Sequence, residues 1–469
     1  MKMNQKEFEK KYVNKIIHGK CRKVMKDMPD NCIDTIITDP PYGLEFMGQD
    51  WDKLGGINSG RSRKENEITA ISKGPESYQA GKPMQEWHYK WTKRALRIAK
   101  PGAMMFVFGG TRTFHRLTCA IEDAGWEIRD CMMWLYGSGF PKSLDISKAI
   151  DKAKGAEREV VKTPMTKHST AGKGISNELD ERPWMTEARE KGYHEHSGPD
   201  PATDLAKQWD GYGTALKPAW EPIIVAMKPL DGTFAQNAEK WGVGGLWIDG
   251  GRIGTETETH SKSTEAAKGK GIYGSFNPVG TTKHNYGRWP ANVILDEEAG
   301  VMLDGQSGVS KSNARTKPSN TISKPIVNIG GGWKSPKNEH TDSGGASRFF
   351  YCAKASRSER NAGLEGMEAQ ITDDGREKKI DNAYLRGKTL RQNNHPTVKP
   401  LKLMEYLCKL TKTPDGGVVL DPFGGSGTTA VACRNTGRPY ILIEKDPHYC
   451  EIARARVKEA RAGQGALFG

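Results

Sequence analysis

Ile33-Asp34-Thr35-Ile36-Ile37-Thr38-Asp39-Pro40-Pro41-Tyr42 and Gly417-Val418-Val419-Leu420-Asp421-Pro422-Phe423-Gly424-Gly425-Ser426-Gly427 share one design. Each opens with an apolar run of strand length, flanked by turn residues, which reads as a strand buried in a parallel sheet. Each then breaks into an acid followed by proline. In an open α/β sheet, ligands bind in the crevice outside the carboxyl ends of the strands. Two such loops on one sheet can therefore face a common pocket from two sides. This pairing predicts a doubly wound α/β fold and marks both loops as candidate site.

In the first loop, Pro40 and Pro41 fix φ and remove two N–H donors, so the neighbouring carbonyls stay free as acceptors. A carboxylate, Asp39, beside a free carbonyl makes an acceptor-only site suited to an exocyclic amino group. Tyr42 offers a ring that can stack on a planar base. The plainer reading is an Asp-Pro turn with Tyr42 packed in the core, and the tetrapeptide alone does not separate the two.

In the second loop, Gly424, Gly425 and Gly427 permit close approach to a ligand. Ser426, Thr428 and Thr429 place hydroxyls at the start of a helix whose amino end favours an anionic group. The next strand, Tyr440-Ile441-Leu442-Ile443, ends at Glu444, about 20 positions beyond the glycines, where an acid is placed for ribose hydroxyls. No G-x-G-x-x-G pattern near the amino end points to a redox dinucleotide.

These two strings, in this order, resemble the amino-group DNA methyltransferases, specifically the permuted beta class in which the catalytic motif precedes the cofactor loop. His395-Pro396-Thr397-Val398-Lys399-Pro400 resembles the motif just upstream of that loop, and Ile443-Glu444-Lys445-Asp446 with Tyr449 resembles the ribose-binding strand end. Gly139-Phe140-Pro141-Lys142-Ser143 and the segment Gly213 to Pro222 look like stretches common in phage-borne and orphan members. The resemblance covers about residues 12–230 and 345–460. It implies an AdoMet-dependent methyltransferase sheet with circularly permuted motif order and an inserted target-recognition lobe. It further implies S-adenosylmethionine as cofactor and double-stranded DNA as partner. By resemblance, Asp39 and the Pro40 carbonyl, with Pro41 and Tyr42, hold a flipped base. Asp421, Phe423, Gly424, Gly425, Ser426, Gly427 and Thr428 line the methionine end of the cofactor. Thr397 and Lys399 lie near its carboxylate, and Glu444 holds its ribose. Adenine N6 is favoured as the target because Asp stands first in the catalytic motif; cytosine N4 is the alternative. Asn at that position would suggest a protein-glutamine methyltransferase. A non-catalytic DNA-binding or anti-restriction protein would tolerate damaged motifs, and both are intact. One departure is Lys20, in His18-Gly19-Lys20-Cys21, where relatives carry an acid for the cofactor's adenine. An ammonium cannot accept a hydrogen bond, which leaves backbone to make that contact.

The chain has 469 residues, enough for two lobes, and a formal net charge of +14, which favours a polyanionic partner. Its eight cysteines form no C-x-x-C pair, so neither zinc nor any other metal is expected. His168, His194 and His196 fit no metal spacing and read as surface residues. Without a signal-like amino end or a membrane-length apolar run, the expectation is a cytoplasmic protein. A homodimer is one option for its assembly.

Three segments follow. Residues 1–229 are expected to form the catalytic half, with a helix from about Met84 carrying Trp87, Trp91, Ala95 and Ile98 as a core stripe, closed by Pro101-Gly102. Strands are expected at Ala103 to Phe108, Glu127 to Leu135 and Ile223 to Met227. Residues 395–469 form the cofactor-binding half. Residues 230–394 interleave basic and aromatic side chains and are expected to recognise the target sequence. Arg315, Lys334, Lys337 and Arg348 are the candidate DNA contacts. Loop 43–83 is a candidate lid or DNA flap.

Overall fold

Among the described residues, nine strands form one central sheet: β1 (Lys15–His18), β2 (Ile33–Thr38), β3 (Ala99–Phe108), β4 (Glu127–Leu135), β5 (Trp220–Met227), β6 (Val293–Asp296), β7 (Tyr351–Ala353), β8 (Val419–Asp421) and β9 (Tyr440–Glu444). The computed structural model describes residues 3–43, 81–137, 139, 143–164, 191–258, 270–271, 274–275, 286–311, 343–353, 358–368, 370–372, 389–395 and 397–460. Across the sheet the order is β1-β9-β8-β2-β3-β5-β4-β6-β7. Every neighbouring pair is parallel except the two made by β5, which runs antiparallel between β3 and β4.

The sheet is covered on both faces, as a doubly wound fold requires. Successive strand residues alternate between two cores. Ile36, Met105, Val107, Ile441 and Ile443 pack with α1 (Gln5–Tyr12), α2 (Cys21–Lys26), α3 (Gly81–Ile98) and α4 (Phe114–Asp123). Ile37, Phe106, Phe108 and Leu442 pack with α5 (Leu401–Leu410), α6 (Thr428–Asn435) and Val457 of α7 (Pro447–Glu459). Burial on both faces explains why β2 and β8 carry apolar side chains without strict alternation.

Helix α3 starts at Gly81, with Pro83 tolerated in its first turn. Trp91, Ala95 and Ile98 are buried at helical spacing, and Trp87 packs against the same core. The helix stops at Ile98, before Pro101, and Gly102 at φ +79° carries the chain on; β3 accordingly begins at Ala99, earlier than its apolar run suggests. Helix α7 is capped by Asp446, whose side chain accepts from the amides of His448 and Tyr449, with Pro447 opening the helix.

The middle interval, residues 230–394, shares this sheet. Its strands β6 and β7 extend the edge beyond β4, both parallel to it. The helix Phe234–Trp241 is tied back to β3 by Asn237, which donates to the Pro101 carbonyl at 3.0 Å. No helix among the described residues is long and apolar enough to cross a membrane.

Strand order reverses direction between β8 and β2. The chain leaves β8 through α6 toward β9 on one side, and leaves β2 toward β3 on the other. That divergence opens a crevice at the carboxyl ends of these two strands, where the acid-proline and glycine loops begin.

Candidate active site

The two loops are tied together at their roots. Thr38 Oγ1, at the end of β2, donates to Asp421 Oδ1, at the end of β8, at 2.7 Å. Asp421 also accepts from the Phe423 amide at 3.0 Å and from Thr429 Oγ1 at 2.6 Å. Burial pushes its carboxyl up to about 6 despite those three donors. Asp421 is thus spent on bracing: it fixes the glycine loop to its own helix and to the neighbouring strand.

The glycine loop packs against protein as tightly as it can. A Cβ on Gly424 would stand 2.1 Å from Leu442 Cδ2, and one on Gly427, at φ +86°, 2.7 Å from Ala453 Cβ. These close approaches are to the protein's own α7 and β9 side chains. The Gly425 amide donates to Glu444 Oε2 at 2.8 Å, and the Asp446 amide to Glu444 Oε1 at 2.8 Å. Burial raises the Glu444 carboxyl above its ordinary value, and those amides hold it back. From α7 the buried Arg456 reaches the loop, donating to the Ser426 carbonyl at 2.7 Å and to Ser426 Oγ and Thr428 Oγ1, each at 3.1 Å. Burial lowers this guanidinium to about 10. Phe423 turns the other way, edge-on to Trp91 with ring centroids 5.2 Å apart and tilted against Trp87 at 5.7 Å. The loop His18-Gly19-Lys20 runs beside the same strand end, the Gly19 amide donating to the Glu444 carbonyl at 2.8 Å. Lys20 stands there as the cap of α2, with no side-chain capping bond.

On the other side of the crevice, Tyr42 Oη donates to Asp39 Oδ1 at 2.7 Å. Lys399 Nζ lies 3.0 Å from Asp39 Oδ2 and 2.9 Å from Glu221 Oε2, and donates to Tyr42 Oη at 3.2 Å. Its ammonium sits over the Phe108 ring, 4.9 Å from the centroid. Tyr42 is held far above its usual range by burial and then by Asp39, so it stays a donor. His395 packs edge-on against Tyr449, 4.6 Å between centroids, and burial pulls it down to about 4, leaving it neutral. Thr397 is joined to His395 through backbone, its carbonyl 3.1 Å from His395 Nδ1.

Behind the acid-proline loop lies His88 of α3, fully enclosed. Trp91 Nε1 donates to His88 Nδ1 at 2.9 Å, which leaves the ring proton on Nε2. The Pro41 carbonyl lies beside that ring, short of hydrogen-bond geometry, and burial lowers His88 to about 3.

The structure therefore gathers Asp39, Tyr42 and Lys399 into one cluster, and Asp421 to Thr428 with Glu444 into an adjoining one. Lys399, read from sequence toward the cofactor's carboxylate, stands on Asp39. Three residues escaped sequence reading. Glu221 belongs to the amino end of an antiparallel strand, which lies at the same sheet edge as the carboxyl ends of its neighbours. Arg456 and His88 sit on helices whose apolar stripes gave the helix but not the polar contact. Arg315, Lys334 and Lys337, His168 and most of loop 43–83 lie outside the described residues. Arg348 is described. Its guanidinium donates to the Gly344 and Gly345 carbonyls at 2.7 and 2.8 Å and covers the Phe349 ring at 4.2 Å. His196 is exposed and bonds Thr163 Oγ1 at 2.8 Å.

Comparison with known proteins gives the family. The chain is 30% identical over 128 residues to Type II methyltransferase M.HindIII of Haemophilus influenzae, covering 24% of this chain and 39% of that protein. It is 45% identical over 64 residues to Type II methyltransferase M2.DpnII of Streptococcus pneumoniae, covering 14% of this chain and 24% of that one. The matches thus span well under half of these curated relatives. Among solved structures, PvuII DNA methyltransferase (cytosine-N4-specific) aligns over 95% of this chain and 89% of its own, at 13% identity and a TM-score of 0.40. The N6/N4-type DNA methylase family model matches residues 33–241 and 280–455, most of the chain and both clusters of the crevice, and the protein belongs to that DNA methylase family.

Proposed function

We propose that this protein transfers a methyl group from S-adenosylmethionine to the exocyclic amine of a base in double-stranded DNA, adenine N6 being the favoured target. The observation that carries the reading is the pairing of an acceptor-rich cluster around Asp39 with the braced glycine loop, joined by the Thr38–Asp421 bond across the point where strand order reverses. Family membership supports the reaction class. The first position of the catalytic motif, Asp39, supports adenine over cytosine N4.

The residues present fit such a cofactor. Glu444 engages each oxygen with one amide and keeps lone pairs on both, as an acceptor for ribose hydroxyls requires. Arg456 and the amino end of α6 put positive charge at the loop where a carboxylate would lie. When bound, S-adenosylmethionine supplies an electrophilic methyl group. The protein's own part is positioning. Asp39 and the Pro40 carbonyl accept the two amine hydrogens and so aim the nitrogen lone pair; Tyr42 stacks on the base and holds Asp39 by its hydroxyl. A base inside a duplex cannot reach this crevice, so it must swing out of the stack. Asp39 is then the nearest base to take the proton the amine releases.

The test is transfer of labelled methyl to duplex DNA, followed by nucleoside analysis. Label in N6-methyladenine is the expected outcome; label in N4-methylcytosine would correct the target base. Label in protein only, or none with DNA present, would overturn the reading.

A further inference from the structure

We infer that Glu221 and Lys399 set the charge of the amine site, with Glu221 the residue that shares the Lys399 ammonium and so leaves the Asp39 negative charge to serve the substrate. The inference rests on the methyl-transfer reading and extends it to residues outside both motif loops. Four elements converge on one ammonium: Asp39 from the end of β2, Glu221 from the start of β5, Phe108 from the end of β3, and Lys399 from the segment entering α5. The Lys399 side chain is only 11% exposed, against 19% for Asp39 and 23% for Glu221, so water screens these charges weakly.

Two carboxylates and one ammonium leave this cluster a net charge of −1. The other titratable groups facing it, Tyr42, Tyr136 and His395, are all held in their neutral forms by burial, which leaves the count unchanged. Asp421 lies one layer behind, bonded to Thr38. The target amine is neutral when it arrives. As its lone pair forms the new N–C bond, the methyl–sulfur bond breaks with its electron pair staying on sulfur, and positive charge develops on nitrogen. An N–H bond then breaks and its proton passes to Asp39. A surrounding charge of −1 is matched to that developing cation.

Without Glu221, the arrangement inverts. Lys399 would have Asp39 as its sole carboxylate, the cluster would be neutral, and the ammonium would compete with the amine for the Asp39 oxygens. Glu221 thus acts through Lys399 as a positioning residue. Lys399 itself fixes the Asp39 carboxylate by one oxygen while Tyr42 fixes it by the other.

A double-mutant cycle on the full-length protein tests this, with labelled S-adenosylmethionine and duplex DNA. Glu221→Gln is expected to lower kcat by about tenfold or more with the cofactor KM within about twofold, since charge is lost from the transition state and not from cofactor binding. In a Lys399→Met background the same Glu221→Gln change is expected to cost less than about threefold, because no ammonium remains to be neutralised. Glu221→Asp, which keeps the charge, is expected to retain more activity than Glu221→Gln and serves if the glutamine variant does not fold. Equal loss from Glu221→Gln in both backgrounds, or a wild-type rate in Glu221→Gln, overturns the inference while leaving the function intact. A wild type that labels no DNA at all overturns the function and this inference with it.

Discussion

Asp39 stands on the base side of the crevice, bonded to Tyr42 and Lys399 and separated from the glycine loop by the Thr38–Asp421 pair. Asp39→Ala is therefore expected to abolish methyl transfer while calorimetry still shows cofactor binding; near-normal turnover would remove Asp39 from its role. Glu444→Ala is expected to weaken S-adenosylmethionine binding by roughly 1.5–3 kcal/mol, the range for hydrogen bonds to a charged group, without altering the DNA sequence preferred. Titration adds a third expectation. His395 is depressed to about 4 in the fold against 6.5 when exposed. The unfolded chain therefore binds the extra proton between these values. The contribution of neutral, buried His395 is complete above about 6.5 and is lost as the pH falls toward 4. Asp421, raised to about 6, works in the opposite sense, losing stability as the pH rises through that value. A His395→Gln variant should show a shallower fall in Tm between pH 6.5 and 4.5 than the wild type; an identical slope would mean that the ring is already charged in the fold.

At the scale of elements, α7 does more than cover the sheet. It presents Ala453 against Gly427 and Arg456 into the hydroxyls and carbonyl of the loop. Arg456→Leu strands these acceptors and is expected to cost about 1–3 kcal/mol of stability. The thermal shift produced by S-adenosylmethionine should shrink with it. A full ligand shift in a destabilised variant would show that the arginine supports the helix alone. The elements also show what the sequence could convey. Strands β8 and β9 announce themselves because burial on both faces leaves a nearly unbroken apolar run, and β2 through Ile33, Ile36 and Ile37, although Asp34 and Thr35 interrupt it; the acid-proline and glycine loops then fall at the ends of β2 and β8. Strand β5 was legible from Ile223 onward, where it is apolar. Its first residues, Trp220 to Pro222, include the acid that reaches Lys399, and nothing local marks them as strand. The strands β6 and β7, at one end of the sheet, are four and three residues long, too short to carry a period of two, so their membership of the sheet is fixed by tertiary pairing. The ion pairs beside Asp39 were illegible for a related reason: Lys399, which meets Asp39, and Glu221, which meets Lys399, stand 360 and 182 positions from it and are brought together by topology.

Across the whole molecule, 71 basic residues against 57 acidic ones suit a partner whose phosphates release counterions on binding. DNA binding is accordingly expected to fall steeply with salt for every sequence. Residues 230–394 remain our proposed reader of the target. Exchange of that interval with one from a relative of different preference is expected to transfer the methylated site. An active chimera that keeps the original site would move recognition to the loop at 43–83. Lys334→Ala or Lys337→Ala should weaken binding evenly across sequences and flatten the salt slope, whereas loss of a base reader relaxes one position at a cost of about 1–3 kcal/mol.

The pairing of β2 with β8, and of β1 with β9, sets a constraint on how the molecule is made. Lys15 lies beside Ile441 and Thr35 beside Val419, so both early strands wait for partners that leave the ribosome hundreds of residues later. At about 5–20 residues per second, the stretch between β7 and β8 takes several seconds to translate. Throughout that interval the nascent chain holds β2 ready beside β3, with its other edge open and Ile33, Ile36 and Ile37 still to be covered. Such an edge is a template for pairing with another chain. Slower growth or a holding chaperone should raise the soluble yield, and a chain released early would lack the entire cofactor side of the crevice, leaving the acidic cluster with nothing to act upon.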